Sequence, residues 1–383
     1  MHLATSATKV TMLWNRDQEW DARMRMIAHA NSFLYLSTFY IEWGRYACEC
    51  LNALIDAQQR GVSTVLVIDR FGQRLGSTQM SRADRKMIRT RLQDLRDAGG
   101  KVVMYTPRHP IDQLLGGGQH IKIQASEAGE AIFGSSNLSD CSFAGWNEFS
   151  VALRGPIFDV LLENFRGLTG DPTPVAGAPA CHSETEQETT PFEYMAFDPN
   201  EARGPLGLLG RCDNPISNLL AERIDAAQSQ IDITSFYFKP IPLVTKALKN
   251  ASDRGVRIRV FHSHTATLSS RIPWIASAAD YDSLLEHGIE VYENKHGEHS
   301  KIILVDNEWA IFGSYNLEDA ADFRLAEAML ITEDETVITS LRNIFAELTS
   351  CKDNVRVRRA QIDQWSLRTR AAIRIIGPIK RWF

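Results

Sequence analysis

The sequence has no Cys-x-x-Cys pair, although it holds six cysteines, Cys48, Cys50, Cys141, Cys181, Cys212 and Cys351. That removes the usual spacing of a structural zinc site or a dithiol redox centre. No metal and no cofactor is expected, and the cysteines read as reduced thiols of a cytosolic protein. No apolar run approaches the ~18 residues of a membrane span. The N-terminus lacks the basic and apolar regions of a signal peptide. The expectation is a cytoplasmic protein. Positive charge is not in excess either: 42 Lys and Arg face 47 Asp and Glu, a net of −5. A protein that grips nucleic acid by bulk electrostatics is usually basic, so the charge argues against nucleic acid as partner.

What is present is enough apolar material for more than one core. The chain has 383 residues, 44% apolar and 23% charged, which suits two soluble domains. In the first half the pattern predicts helices over 18–31, 45–59 and 81–97, and strands over 33–41, 62–68 and 101–105. Strands alternating with helices imply a sheet covered on both faces. Helix 81–97 is rich in arginine but also holds Asp84, Asp94 and Asp97, and reads as a solvated face. Gly116-Gly117-Gly118 reads as a mobile run. The stretch DPTPVAGAPACHSETEQETTP, 171–191, has little to bury and reads as a linker.

The second half repeats the first. Ser235-Phe236-Tyr237 answers Thr38-Phe39-Tyr40, and Arg254-Gly255-Val256 answers Arg60-Gly61-Val62. Residues 1–170 and 206–351 are expected to be two like α/β domains, each an α-β-α sandwich. They would be joined by 171–205 and related by a pseudo-twofold axis. The last 32 residues, 352–383, have no counterpart. They hold nine Lys or Arg and two Asp. Ile362, Trp365, Ala372 or Ile373, and Ile376 follow helical spacing there. A basic amphipathic tail suits an anionic membrane surface, and equally a helix docked on the protein.

One pattern concentrates polar chemistry. His299-Ser-Lys301 leads into an apolar run, a turn at Asp306-Asn307, a second apolar run, and Gly313-Ser314-Tyr-Asn316. This reads as a β-hairpin, in which residues two apart share a face. One imidazole, one ammonium, one hydroxyl and one amide then converge, an inventory suited to an oxyanion. The pattern occurs twice. His120, Lys122, Ser135, Asn137 and Glu148 recur as His299, Lys301, Ser314, Asn316 and Glu327, all at an offset of 179 (299 − 120). A lone histidine is more often a core residue; five matched polar positions outweigh that. His262 and His264 follow a strand end but have no repeated partner, and Asp69-Arg70 reads as a surface pair.

His-x-Lys-(x4)-Asp-(x6)-Gly-Ser-x-Asn, present twice, resembles the phospholipase D superfamily. The second copy fits fully; the first has Glu127 where the family has Asp, the counterpart of Asp306. Both acids lie at the hairpin turn, which points to a structural role. The resemblance implies a single active site at the interface of the two domains and a metal-independent phosphodiester cleavage. One neutral imidazole would attack phosphorus to form a phosphohistidine, and the other would donate a proton to the leaving alkoxide. By analogy His120 is the nucleophile and His299 the acid/base. Lys122, Lys301, Ser135, Asn137, Ser314 and Asn316 would hold the phosphoryl oxygens. Glu148 and Glu327 would fix the imidazoles. Within the superfamily the chain most resembles bacterial cardiolipin synthases and related phospholipid transphosphatidylases. The implied substrate is a glycerophospholipid; a nuclease of the same superfamily is the alternative.

Overall fold

The protein was analysed as a computed structural model that describes residues 1–169, 189–202, 213–268 and 270–382. In the first half the chain runs β1 (His2–Ala7), β2 (Lys9–Leu13), α1 (Arg16–His29), β3 (Phe33–Thr38), α2 (Arg45–Gln59) and β4 (Ser63–Asp69). It continues through α3 (Arg70–Ser77), α4 (Arg82–Asp97), β5 (Lys101–Tyr105), α5 (Pro110–Leu114) and β6 (Gly118–Gln119). The hairpin strands β7 (Lys122–Ser126) and β8 (Glu130–Gly134), then β9 (Ser150–Arg154) and α6 (Ile157–Thr169), complete it.

The second half opens with β10 (Thr190–Phe197), α7 (Pro199–Ala202), α8 (Pro215–Ala226), β11 (Gln230–Thr234), α9 (Pro242–Asp253) and β12 (Arg257–Ser263). Then come α10 (Arg271–Ala278), α11 (Tyr281–Glu286), β13 (Glu290–Asn294), and the second hairpin, β14 (Ile302–Val305) and β15 (Trp309–Gly313). After α12 (Asp319–Phe323), β16 (Leu325–Thr332) and α13 (Glu335–Ser350), the chain ends in β17 (Asn354–Arg356), α14 (Arg359–Asp363), α15 (Leu367–Ile376) and a short turn, Gly377–Trp382.

One sheet has the order β2-β9-β8-β7-β3-β4-β5; the other contains β10-β16-β15-β14-β11-β12-β13 in the corresponding order. Strand β10 therefore answers β2, and the stretch 171–205 is not all linker: residues 190–197 are a strand of the second sheet, paired on both sides by β1 and β16. Its Phe192, Tyr194 and Met195 are buried. The N-terminal strand β1 crosses over and pairs with β10, His2 opposite Met195. Residues 170–188, the Pro- and Thr-rich part, lie outside the described residues.

Each sheet buries an outer face under its own helices. Leu51, Leu54 and Ile55 of α2 cover one, Val244, Leu248 and Ala251 of α9 the other. The inner faces share a single core. Phe133 and Phe149 from the first half meet Phe192, Tyr194 and Phe312 from the second, with Leu161 and Phe165 of α6 and Leu341 and Phe345 of α13. Phe149 sits edge-on to Phe312, centroids 5.2 Å apart.

Two expectations change, and the open reading of the tail is decided. The aromatic strand stops at Thr38 rather than Ile41: Phe39 leaves the sheet to stand against His120, and Tyr40 turns onto Gly76 of α3. Gly116, Gly117 and Gly118 are buried rather than mobile. A Cβ on Gly118 would lie 2.6 Å from the Asp69 carboxylate, and one on Gly116 would lie 2.8 Å from the Phe71 ring. The tail is docked: β17 pairs with β13, Ile362 is buried, and Trp365, Ala372, Ile373 and Ile376 pack on the outer core of the second half. The apolar stripe read from the sequence thus faces protein. The arginine-rich α4 is solvated as read, with only Ile88, Leu92 and Leu95 buried.

The shared core makes the halves cooperative. Phe312→Ala should cost about 3–5 kcal/mol, and circular dichroism and intrinsic fluorescence should report one coincident thermal transition at lower temperature. Two separated transitions would show that the halves unfold independently.

Candidate active site

Each histidine lies immediately before its hairpin, not within it. Strand β6 pairs in parallel with Leu325 and Ala326 of β16, and the His120 backbone N–H donates to the Ala326 carbonyl at 2.8 Å. In the other half Asn147 and Glu298 form a parallel bridge, and the His299 N–H donates to the Asn147 carbonyl at 2.8 Å. Each half thus lends the other a backbone rail that carries its histidine to the interface. The register places Lys122 opposite Gly134. The motif glycines are required by close approach: a Cβ on either Gly134 or Gly313 would lie 2.4 Å from a carbonyl oxygen, of Phe149 or Ala328.

The side chains cross the interface too. His299 Nδ1 lies 2.7 Å from Glu148 Oε2, and His120 Nδ1 lies 3.1 Å from Glu327 Oε1. His120 Nδ1 is also 2.9 Å from the Ser314 carbonyl oxygen. A carbonyl only accepts, so Nδ1 carries the proton and Nε2 keeps its lone pair. Neither Nε2 has a hydrogen-bond partner among the described residues. Aromatic rings fix both imidazoles. Phe39 stands edge-on to His120 at 4.9 Å; Trp146 stacks on His299 at 5.2 Å and Phe236 meets it edge-on at 4.6 Å.

The serines are already engaged. Ser135 Oγ donates to Glu148 Oε2 at 2.5 Å and accepts the Phe149 N–H at 2.9 Å. Ser314 Oγ donates to Glu327 and accepts the Ala328 N–H. With donor and acceptor spent, they hold the glutamates; their expected contact with phosphoryl oxygens is replaced by this positioning role. The asparagines keep spare capacity. Asn137 Oδ1 accepts the Phe39 N–H at 3.2 Å, while its buried Nδ2 has no hydrogen-bond partner. Asn316 Nδ2 donates to Glu318 Oε1 at 3.2 Å, and Glu318 pairs with buried Lys239 at 3.1 Å. The ammonium groups of Lys122 and Lys301 donate to the carbonyls of His120 and His299.

The motif acids lie away from this cluster. Asp306 accepts the N–H groups of Gln228, Ser229 and Gln230 just ahead of and into β11. Glu127 does the same for Asn31 and Phe33 at β3. The turn explains the difference between them. Asp306 and Asn307 have φ of 53° and 58°, whereas in the first hairpin the left-handed residue is Gly129, φ 69°. Aspartate tolerates that backbone region; with Gly129 taking it, Glu127 is free to reach back with a longer arm.

A family model described as "Cardiolipin synthase, PLD-like domain" matches residues 24–168 and 220–349. The chain belongs to this phospholipase D-like family. It is similar to cardiolipin synthase B of Salmonella typhimurium (strain LT2), 26% identical over 352 residues that cover 88% of this chain and 79% of that protein. It is also similar to cardiolipin synthase A of Pseudomonas syringae pv. syringae (strain B728a), 25% identical over 397 residues, 98% of this chain and 76% of that one. Among solved structures, phosphatidylserine synthase of Haemophilus influenzae Rd KW20 superposes with a TM-score of 0.72, covering 100% of this chain and 95% of that one. At 13% identity that match speaks to the fold.

In this phospholipase D-like site the electrostatics are set by burial. Both lysines are buried. Burial pushes the Lys122 ammonium well down, helped by repulsion from Lys301, and brings Lys301 to about 8 against the pull of Glu148 and Glu327. Burial also lowers both imidazoles, His299 to about 4. The glutamates differ. Burial opposes the charge on Glu148, but His299, Lys301 and the Ser135 hydroxyl outweigh it and hold it at about 2. A further hydroxyl, Ser142 Oγ, donates to it at 2.7 Å. At the position of Ser142 the second half has Ala321 (142 + 179), and burial with Glu318 nearby pushes Glu327 up.

Sequence reasoning missed the rings of Trp146 and Phe236 and the role of Asp69. The duplicated Thr/Ser-Phe-Tyr triplet was the available signal for Phe236; Trp146 has no such repeat, since Leu325 stands at its position (146 + 179). Asp69 is buried rather than on the surface. It accepts the N–H groups of Gly72 and Gln119, anchoring the residue before His120. His262 is a core residue, 2.7 Å from the Tyr281 hydroxyl. Among the described residues no group of three or more His, Cys, Asp or Glu is arranged to hold a metal ion.

Two buried lysines close enough to repel one another imply an anion site. Lysine is charged below its pKa, so sulfate affinity, measured by calorimetry from about pH 6 to about pH 10, should fall as pH rises through about 8. A flat profile would mean that Lys301 does not contribute charge to the site.

Proposed function

We propose that the protein is a phosphodiester-cleaving phosphatidyltransferase acting on glycerophospholipids through a covalent phosphohistidine. The observation that carries this reading is the pair of imidazoles held through Nδ1 by glutamates of opposite halves. That leaves two Nε2 atoms for one phosphorus. The relatives named cardiolipin synthase support a phospholipid as substrate.

In the proposed reaction His120 Nε2 attacks phosphorus as the bond to the leaving oxygen breaks. That oxygen takes the proton from His299 Nε2, and the departing alcohol diffuses away. The neutral His299 then removes the proton of an incoming alcohol, whose oxygen attacks phosphorus and releases His120. Lys122, Lys301 and the Asn137 amide stabilise the charge that gathers on the phosphoryl oxygens. The ionised Glu148 stabilises the imidazolium form of His299, the acid/base role. An anionic diester raises the pKa values of groups it contacts, so substrate binding itself favours protonated His299. No step in this scheme calls on a metal or cofactor.

No helix among the described residues is long and apolar enough to cross a membrane. We place the enzyme as a cytoplasmic, peripheral membrane protein. The tail 352–383 would contribute, but by the face its docking leaves outward, where Leu367 and Ile375 are 84% and 70% exposed.

His120→Ala and His299→Ala should each abolish turnover, with unchanged circular dichroism. Headgroup exchange between phosphatidylglycerol and glycerol should persist in EDTA. Activity surviving in either variant would defeat the shared-site mechanism. Plasmid nicking without lipid turnover would move the enzyme to the nucleases.

A further inference from the structure

The rim of the first half carries an unexplained set of groups. Helices α3 and α5 enclose a cavity of about 300 Å³ lined by Arg70, Phe71, Arg74, Gln113, Leu114 and Gly117, among others. Arg70 and Arg74 lie one helical turn apart and are exposed. Neither has an ion pair or hydrogen bond to a described residue. Of the acids close by, Asp69 accepts backbone N–H groups, Glu201 pairs with Arg108 at 3.6 Å, and Asp112 of α5 is fully buried. Around these cations the protein exposes Leu75, Ile111, Leu114 and Leu115, with Leu114 at 83%. Exposed leucines beside uncompensated arginines, on a chain of net charge −5, are the composition of an interface with anionic lipid.

The rim is coupled to the active site. Gln73 of α3 exchanges two hydrogen bonds with the backbone of Ile41, at 2.8 and 3.0 Å, and Phe39, two residues earlier, touches His120. Helix α5 leads through Gly116–Gln119 directly into His120. The rim also joins the tail. The Leu115 carbonyl accepts from Arg324 at 3.5 Å, at the end of α12, and the terminal turn Gly377–Trp382 packs on α12. That turn, which exposes Ile379, therefore shares α12 as a neighbour with the segment that follows α5.

We propose that the α3–α5 rim is the surface by which the protein docks on an anionic phospholipid bilayer. Arg70 and Arg74 grip a lipid phosphate at the cavity, and Leu75, Ile111 and Leu114 enter the acyl layer. This rests on the reading of the substrate as a membrane phospholipid. It adds that the membrane is met beside His120 and not through the tail alone.

The test is cosedimentation of the full chain with vesicles of equal parts phosphatidylglycerol and phosphatidylcholine, and with pure phosphatidylcholine. Turnover of a monomeric short-chain phosphatidylglycerol is measured in parallel. R70Q/R74Q should lower partitioning into the anionic vesicles about 30-fold, at about one kilocalorie per mole for each charge. L114S should lower it about tenfold. Both variants should keep short-chain turnover, which shows that they fold. Partitioning within twofold of wild type in both variants would overturn the proposal and leave the substrate reading intact. Wild-type protein that neither binds vesicles nor turns over the short-chain lipid would overturn the substrate reading itself. Retention of a DNA duplex in place of vesicles, lost in R70Q/R74Q, would reassign the rim to nucleic acid.

Discussion

Each histidine of the duplicated motif is oriented by a glutamate that belongs to the other half. This exchange, His299 to Glu148 and His120 to Glu327, is the constraint on which the arrangement depends. A proton on Nδ1 needs an acceptor, and in a buried site a carboxylate or carbonyl must supply it. Because the acceptor comes from across the interface, neither half alone has an oriented imidazole. The backbone rails at Ala326 and Asn147 impose the same reciprocity on the main chain. The shared core of Phe133, Phe149, Phe192 and Phe312 then fixes the two halves at the spacing those hydrogen bonds require.

Duplication gives the halves one geometry, and single residues make them unequal. Ser142 adds a hydroxyl to Glu148 where Ala321 offers Glu327 none. Gln119 and Glu298 occupy equivalent positions ahead of the two histidines (298 − 119 is again 179). Burial pushes Glu298 up to about 7, and Asn147 donates to it at 3.0 Å; opposite Gln119 stands Ala326. The two imidazoles therefore sit in different fields despite near-identical contacts. That difference is the physical basis on which one site can divide an attacking role from a proton-transferring one.

Much of this was legible in the residues. Constant spacing of His, Lys, Ser, Asn and Glu marked which residues would gather, because residues at one constant offset take equivalent places in two like domains. The paired sheets followed from strands alternating with helices. What spacing does not encode is where hydrogen bonds end. The serines looked like phosphate ligands because a hydroxyl suits an oxyanion, but the neighbouring glutamates take those hydroxyls. The glycine run 116–118 looked loose because glycine is permissive; it is there because Asp69 and Phe71 leave no room for a Cβ. Strand β10 was hidden by the Pro- and Thr-rich stretch before it. The tail's apolar stripe was visible, but a stripe does not say whether it faces lipid or the rest of the chain.

The central claim is that both motif copies act on one phosphorus. A crystal structure with vanadate, an oxyanion that mimics a five-coordinate phosphorus, tests it directly. A single vanadium should lie between His120 Nε2 and His299 Nε2, with Lys122 and Lys301 both in contact with its oxygens. Vanadate held by one copy alone, or two ions bound separately, would contradict the account.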